Sequence, residues 1–501
     1  MDAQETGSVL PDLRAIVPDT PIAAPMNEMF DGAGHPRPEC ARVASYLLTM
    51  EARRLFELGE RAHQMFQQMG VTFNHYGDAE GIERIFPFDP VPRIIPAAVW
   101  ATIEAGLIQR VRALNAFLAD IYGEGAILHE GIIPRDLIIG SPQFRHAAAG
   151  IKPRDNLFVT VAGIDLVRGA DGRFFVLEDN LRTPSGVSYV LQNRVIMRRL
   201  FPELLRALQV RCVENYPADL LAVLKETAPQ DARDPVVAVL TPGPYNSAFF
   251  EHVFLAQQMG VELAEGRDLV CRGHQLFMKT IYGLRRIDVL YRRVDDDYLD
   301  PVTFRPDSLL GVAGLTAAIR AGNVAVANAI GTGVADDKAV FAYTPAMIRF
   351  YLGEEPLLPI VETHLLRDPD ECAMVLRDLD RFVIKPTGAS GGYGVVIGPK
   401  ASAEELAQLR ARIMRDPAAY IAQPVVQLSV HPTLTRSNGE PPRLEPRHVD
   451  LRPFVLMGQR PRVLAGGLTR VALREGSLIV NSSQGGGSKD TWVLENGCSA
   501  G

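Results

Sequence analysis

Apolar residues recur at two different periods along this chain, and the changes of period mark its organisation. Residues 1 to about 50 are proline-rich with little periodicity and read as an irregular arm. Helix formers dominate from Leu55 to Met69, and Gly70 is placed to stop that helix. The stretch FPFDPVPRIIP that follows is punctuated by proline and excludes regular helix. Pro96 opens the clearest helix, with Trp100, Ile103, Leu107, Leu114, Leu118 and Ile121 on one face and Gly123 at its end. Leu157 to Val161 and Arg173 to Leu177 are strand-like, joined by a turn at Ala170-Asp171-Gly172.

From about residue 235 the pattern becomes β-α-β. Apolar strands at 236–240, 287–293 and 323–330 alternate with helix, the first helix running from Ala248 to Met259 with Ser247 as N-cap. That is the pattern of an open, mostly parallel sheet. Asp336-Asp337-Lys338 opens a helix expected to reach Leu352. A strand at 381–386 leads into the loop TGASGGYG and a second strand, VVIG. After a helix from Glu404 to Met414, YIAQPVVQL, HVDLRPFVLMG, RVLAGGLTRVAL and SLIVN read as antiparallel strands. The boundaries divide the chain into 1–95 (arm and helical region), 96–220, 221–335 (the α/β unit) and 336–501.

Composition narrows the function. The 501 residues carry 52 Lys and Arg against 59 Asp and Glu, a net charge of −7, which argues against a nucleic-acid protein. No apolar run is long enough to span a membrane, and the acidic start is not a signal peptide. Five cysteines without a CxxC pair and ten histidines without an HxxxH pair argue against zinc or a disulfide framework. A cytoplasmic location with reduced thiols is the expectation.

Four features carry chemistry. Asp165 faces Glu178 across the expected hairpin, and Glu178 and Asn180, two apart, point to one face. An oxygen-only set of this kind suits Mg²⁺. It reads equally as a polar strand end entering a turn. Lys385 precedes a glycine-rich loop, Gly388, Ser390, Gly391, Gly392 and Gly394, whose backbone amides can approach phosphate. Lysine before the glycines and strand after them is not a Walker A order, and an ordinary hairpin is the plain alternative. Asp337-Lys338 is by itself a common acidic helix start. Arg452, Arg470 and Lys489 form a late basic set, suited to phosphate or carboxylate or simply solvated.

Taken jointly, these residues resemble the ATP-grasp carboxylate–amine ligases. GIDLVRGADGRFFVLEDNLRTPSG is similar to the metal hairpin of D-alanine–D-alanine ligases, VIKPTGASGGYGV to their lysine strand and lid, and NVAVANAIGTGVADDK to the strand and helix before it. Here the metal hairpin comes first, which is a circular permutation. FDPVPRIIP, LEDNLRTPSGVSYVLQNR, YRRVDDDYLDP and SSQGGGSKDTWVL resemble the circularly permuted ATP-grasp family (type 2), described as glutathionylspermidine synthase-like. The resemblance implies an α/β ATP-grasp fold with an adjoining β-α-β domain on the substrate side. The metal half would be 96–220 and the nucleotide half 336–501.

It also implies roles. Asp165, Glu178 and Asn180 would hold Mg²⁺. Lys338 and Lys385 would meet the phosphates of ATP, and residues 388–394 would form a lid. Gln423 and Val425 would lie on the hinge that reads adenine. Related ligases often carry an Arg two residues before the Asp; here that residue is Gly163, so Arg182, Arg452 or Arg470 would steady the transferring phosphoryl group. Asn246, Ser247, Arg292, Arg293 and Asp295 are candidates for substrate contact. The implied reaction joins a carboxylate to an amine through an acyl phosphate. A small-molecule phosphotransferase and a non-catalytic nucleotide-binding scaffold are the alternatives. Small acids and amines would be its substrates, and an alpha-E-domain protein is a partner suggested by the resemblance alone.

Overall fold

In the computed structural model, residues 25–50, 52–74, 83–388, 394–435, 443–473, 480 and 486–495 are described. The helix Ala97–Ile121 is the central strut. Trp100, Leu107, Leu114 and Phe117 are all fully buried along it, and it packs against the helix Thr344–Leu352. Each such large apolar side chain contributes about 1.5–3 kcal/mol on burial.

Two sheets lie at the heart of the molecule. The expected open sheet is present: Ala325–Ala327, Val289–Arg292, Val237–Leu240 and Glu262–Ala264 pair in that order, all parallel. Beside it, Arg462–Val463, Phe454–Leu456, Val161–Arg168 and Phe174–Asn180 form an antiparallel sheet. The first strand of the acidic hairpin is interior to this sheet and the second, Phe174–Asn180, is its edge; the first begins at Val161, where the apolar pattern had placed the strand's end. This shift puts Asp165 inside the strand. A smaller antiparallel sheet, His364–Leu365, Tyr420–Pro424, Phe382–Pro386 and Val396–Ile397, carries the lysine strand. The helices Pro369–Arg377 and Ala403–Arg415 cover it with Val375, Leu409 and Ile413.

Three expectations need correction, and one stretch whose non-helical reading holds takes a form the sequence left open. The arm contains a helix, Ala41–Leu48, and Glu28 is buried against Arg93, so its described part is built into the fold. The proline-punctuated stretch is a strand, Phe88–Ile95, parallel to Gly487–Val493, with a register shift between Lys489 and Thr491. Proline cannot donate to the ladder, which is why the pattern hid the strand. The helix from Asp336 to Leu352 is two pieces, Lys338–Phe341 and Thr344–Leu352, because Pro345 suits only the first turn of a helix. The helix Phe249–Met259 is capped at Ala248 rather than at Ser247. Most of SLIVN lies outside the described residues. Among the described residues no helix is long and apolar enough to cross a membrane.

Candidate functional site

Strand pairing sets the acidic residues in place. Gly163 pairs with Asn180 and Asp165 with Glu178, and the register slips immediately after Asp165. Asp179, pointing the other way, is locked by Arg110 of the long helix through bonds of 2.7 and 2.6 Å. Arg110 in turn lies over the Phe341 ring at 5.0 Å. Glu178 and Asn180 are thereby held facing a cleft. Gln143, Glu178, Asp179, Asn180, Arg182, Gly333, Asp336, Asp337, Lys338, Thr387 and Gly388 line it, although the Asp179 carboxylate is taken up by Arg110.

Lys338 of the second half lines the same cleft, and Lys385 lies close enough to feel the charges of Glu178 and Lys338. Lys338 Nζ stands 3.6 Å from Glu178 Oε1. Its backbone N–H donates to the Thr387 carbonyl at 3.3 Å, which ties the short lysine helix to the end of the lysine strand. Lys385, half-buried, pairs with Ile421 on the neighbouring strand. Burial pushes its ammonium down to about 8; Glu178 and Asp165 pull upward, and Lys338 pushes further down. Gly394 adopts a φ of 73°, and a Cβ there would meet Pro386 Cγ at 2.9 Å, so glycine is required where the loop returns. Ser390, Gly391 and Gly392 lie outside the described residues.

The arginines separate into distinct settings. Arg452 grips Asp165 with Nε to Oδ1 at 2.5 Å and Nη2 to Oδ2 at 2.8 Å. Arg470 Nη2 reaches the same Oδ2 at 2.7 Å and also bonds Asp450. Burial alone would raise the Asp165 pKa, but the two guanidiniums outweigh it and hold the carboxyl well below its usual range. A Cβ at Gly163 would lie 3.4 Å from Arg452 Cδ and 3.0 Å from Pro184 Cβ. The Arg452 stem thus crosses the place where related ligases carry their own arginine. Arg182 bonds Asp336 at 2.8 Å and lies 3.7 Å from Asp295. Asp336 is pushed up to about 6 by burial, with Arg182 acting against it. Lys489 belongs elsewhere; it is fully buried against Asp89 and the Pro432 carbonyl.

The other candidates are more dispersed. Arg292 is fully buried, donating to the carbonyls of Asn328, Val294 and Ala329 and pairing with Asp296. Arg293 donates to the Pro184 carbonyl and pairs with Glu251. Both guanidiniums brace the sheet's end rather than face the cleft. Asn246 Oδ1 accepts from the Ala248 N–H, and with Ser247 it sits in the loop after Val237–Leu240, apart from the cleft-lining residues. Gln423 is buried on Tyr420–Pro424 and donates to Thr363. Val425 follows that strand, half-buried.

Several contributors were not singled out in the sequence. Asn328 accepts from the N–H groups of Thr160 and Val161 and donates to the carbonyls of Val161 and Leu181, joining the parallel sheet to the acidic hairpin. An amide within an otherwise apolar strand was its signal. Asp450 shared a strand face with Arg452, and Asp336 stood in the Asp-Asp-Lys run. Gln143 gave no signal; its Oε1 is buried without a partner at the cleft wall.

Among the described residues no group of three or more His, Cys, Asp or Glu is gathered as a metal site. Glu178 and Asn180 still fit Mg²⁺, which takes one or two carboxylates and completes its shell with phosphate oxygens and water. The Asn180 amide nitrogen is buried without a hydrogen-bond partner among the described residues; as a donor it suits a phosphate oxygen, not the cation. Two lysines across from them supply the charge a polyphosphate needs.

Known proteins place this geometry. A protein of Synechocystis sp. is 52% identical over 94% of this chain and 97% of its own length. One from Mycobacterium tuberculosis is 51% identical over 95% of this chain and 85% of its own. A Frankia casuarinae protein named "Putative glutamate--cysteine ligase 2-2" is 46% identical over 93% of this chain, which spans 53% of that protein. The solved structure of a glutathione synthetase-like effector from Globodera pallida superposes with a TM-score of 0.57 at 13% identity, over 89% of this chain and 98% of that one. That likeness shows the shared fold. The sequence pattern of the circularly permuted ATP-grasp type 2 proteins matches residues 92–472, taking in the acidic hairpin, both lysines and both arginines in the permuted order, and the chain belongs to that family.

Proposed function

We propose that this protein is an ATP- and Mg²⁺-dependent ligase that activates a carboxylate as an acyl phosphate and transfers the acyl group to an amine. The observation that carries the reading is one cleft where Lys338, on the permuted second half, faces Glu178 of the first half. Membership of an ATP-grasp family supports nucleotide use, and the Frankia relative's name supports ligation, with an amino acid as the first acid to try.

Glu178 and Asn180, joined by Asp165, would hold Mg²⁺, which neutralises phosphate charge and orients it for in-line transfer. Lys338 and Lys385 bind the phosphate chain from the opposite wall. The half-buried setting of Lys385 strengthens its attraction for the anion. The substrate carboxylate attacks the γ-phosphorus, and Arg452 and Arg470 lie nearest the Asp165 end to meet the spreading charge. An amine then attacks the acyl carbon and phosphate leaves. Gly388 and Gly394 anchor the loop that would close over the reacting groups and exclude water.

ADP release across a panel of amino acids, each with and without amine co-substrates, tests the reading. Turnover that requires both partners and yields an amide is expected. A stable phosphorylated product from the acid alone would make the protein a phosphotransferase. Glu178→Gln is expected to lower turnover by about a hundredfold or more; intact turnover in that variant would remove the metal assignment.

A further inference from the structure

Asp165 is the most heavily engaged of the three residues assigned to the metal. Both of its oxygens accept charge-assisted bonds, one from Arg452 at 2.5 Å and two on the other oxygen, from Arg452 at 2.8 Å and Arg470 at 2.7 Å. A divalent cation entering beside two guanidiniums meets repulsion from both. The two arginines are not equally free to yield. Arg470 is 5% exposed and is also held by Asp450, with Nε at 3.0 Å from both carboxylate oxygens. Its charge is shared between two buried carboxylates and has nowhere better to go. Among the described residues the Arg452 guanidinium hydrogen-bonds no second carboxylate, although Asp450 is near enough to feel its charge; its other side-chain bond is a long one, 3.3 Å, to the Ser185 carbonyl. Its stem lies over Gly163, which sets no side chain of its own against it, with Pro184 Cβ 3.0 Å from where a Gly163 Cβ would stand.

We propose that Arg452 and the divalent cation compete for the Asp165 carboxylate, so that metal loading releases the Arg452 guanidinium while Arg470 stays in place. The metal-free protein thereby keeps a buried carboxylate neutralised, and the freed guanidinium becomes available only once the cation has arrived. The proposal rests on the reading of Asp165 as a metal ligand.

Competition has a signature that a plain phosphate-binding role lacks: removing the arginine strengthens metal binding. Mn²⁺ alone is titrated into the full-length protein, with free ion read by electron paramagnetic resonance. Arg452→Met is expected to bind Mn²⁺ about three- to tenfold tighter than the native protein. Asp165→Asn is expected to weaken binding with or without the Arg452 substitution. Arg452→Lys keeps the charge but loses the bidentate grip, so a smaller tightening is expected, and this variant decides the matter if Arg452→Met does not fold. Equal or weaker Mn²⁺ binding in the Arg452 variants, with Asp165→Asn still weakening it, overturns the competition and leaves the metal assignment standing. Unchanged binding in Asp165→Asn overturns both.

Discussion

At the scale of single residues, the cleft depends on charges placed under constraint. Lys385 is the clearest case, since burial lowers its pKa to about 8. Only the protonated form attracts a polyphosphate, and a bound polyphosphate raises the pKa again. Nucleotide affinity should therefore fall as pH rises through about 8, and binding near that pH should take up protons. Calorimetry in buffers of differing ionisation enthalpy measures the uptake, which Lys385→Met should abolish. The Arg110–Asp179 pair is a separate test. Both side chains are about 1–2% exposed, so Arg110→Met strands a buried carboxylate beside Glu178. A loss of about 3–5 kcal/mol in urea unfolding is expected. Spacing put Glu178 and Asn180 on one face, and Lys338 and Lys385 were singled out by their joint resemblance to a family rather than by any local mark strong enough alone. Asn328 gave only the slight signal of an amide in an apolar strand, because its partners lie far away in sequence, and Gln143 gave none.

At the scale of elements, local signals worked where the stabilising bonds are local. The helix Ala403–Arg415 starts at Ser402, which accepts from Glu405 N–H while Glu405 bonds back to Ser402 N–H. Ser402→Ala should cost about 1 kcal/mol in thermal unfolding and leave nucleotide binding unchanged. The parallel strands were also legible, because burial on both faces makes each a continuous apolar run. Phe88–Ile95 was not. Its prolines contradict strand propensity, and it is held instead by Gly487–Val493 from the far end of the chain. Tertiary pairing overrode local preference there.

At the scale of the whole molecule, the permuted order means that neither half holds a complete cleft. Glu178 and Asn180 come from the hairpin, Lys338 and Lys385 from beyond the parallel sheet, and Asn328 bonds that sheet to the hairpin. The long-range closure also involves the late strand, whose Trp492 is fully buried. Deleting residues 487–495 should abolish cooperative unfolding as followed by circular dichroism, since the strand Phe88–Ile95 loses its only neighbour within its sheet among the described residues. The central claim is that the two halves build one Mg²⁺–nucleotide site. Isothermal calorimetry with the magnesium complex of a non-hydrolysable ATP analogue tests it most directly. One equivalent should bind, and Glu178→Gln from the first half and Lys385→Met from the second should each weaken it about tenfold or more. Failure of the native protein to bind, or full affinity in either variant, would contradict the account.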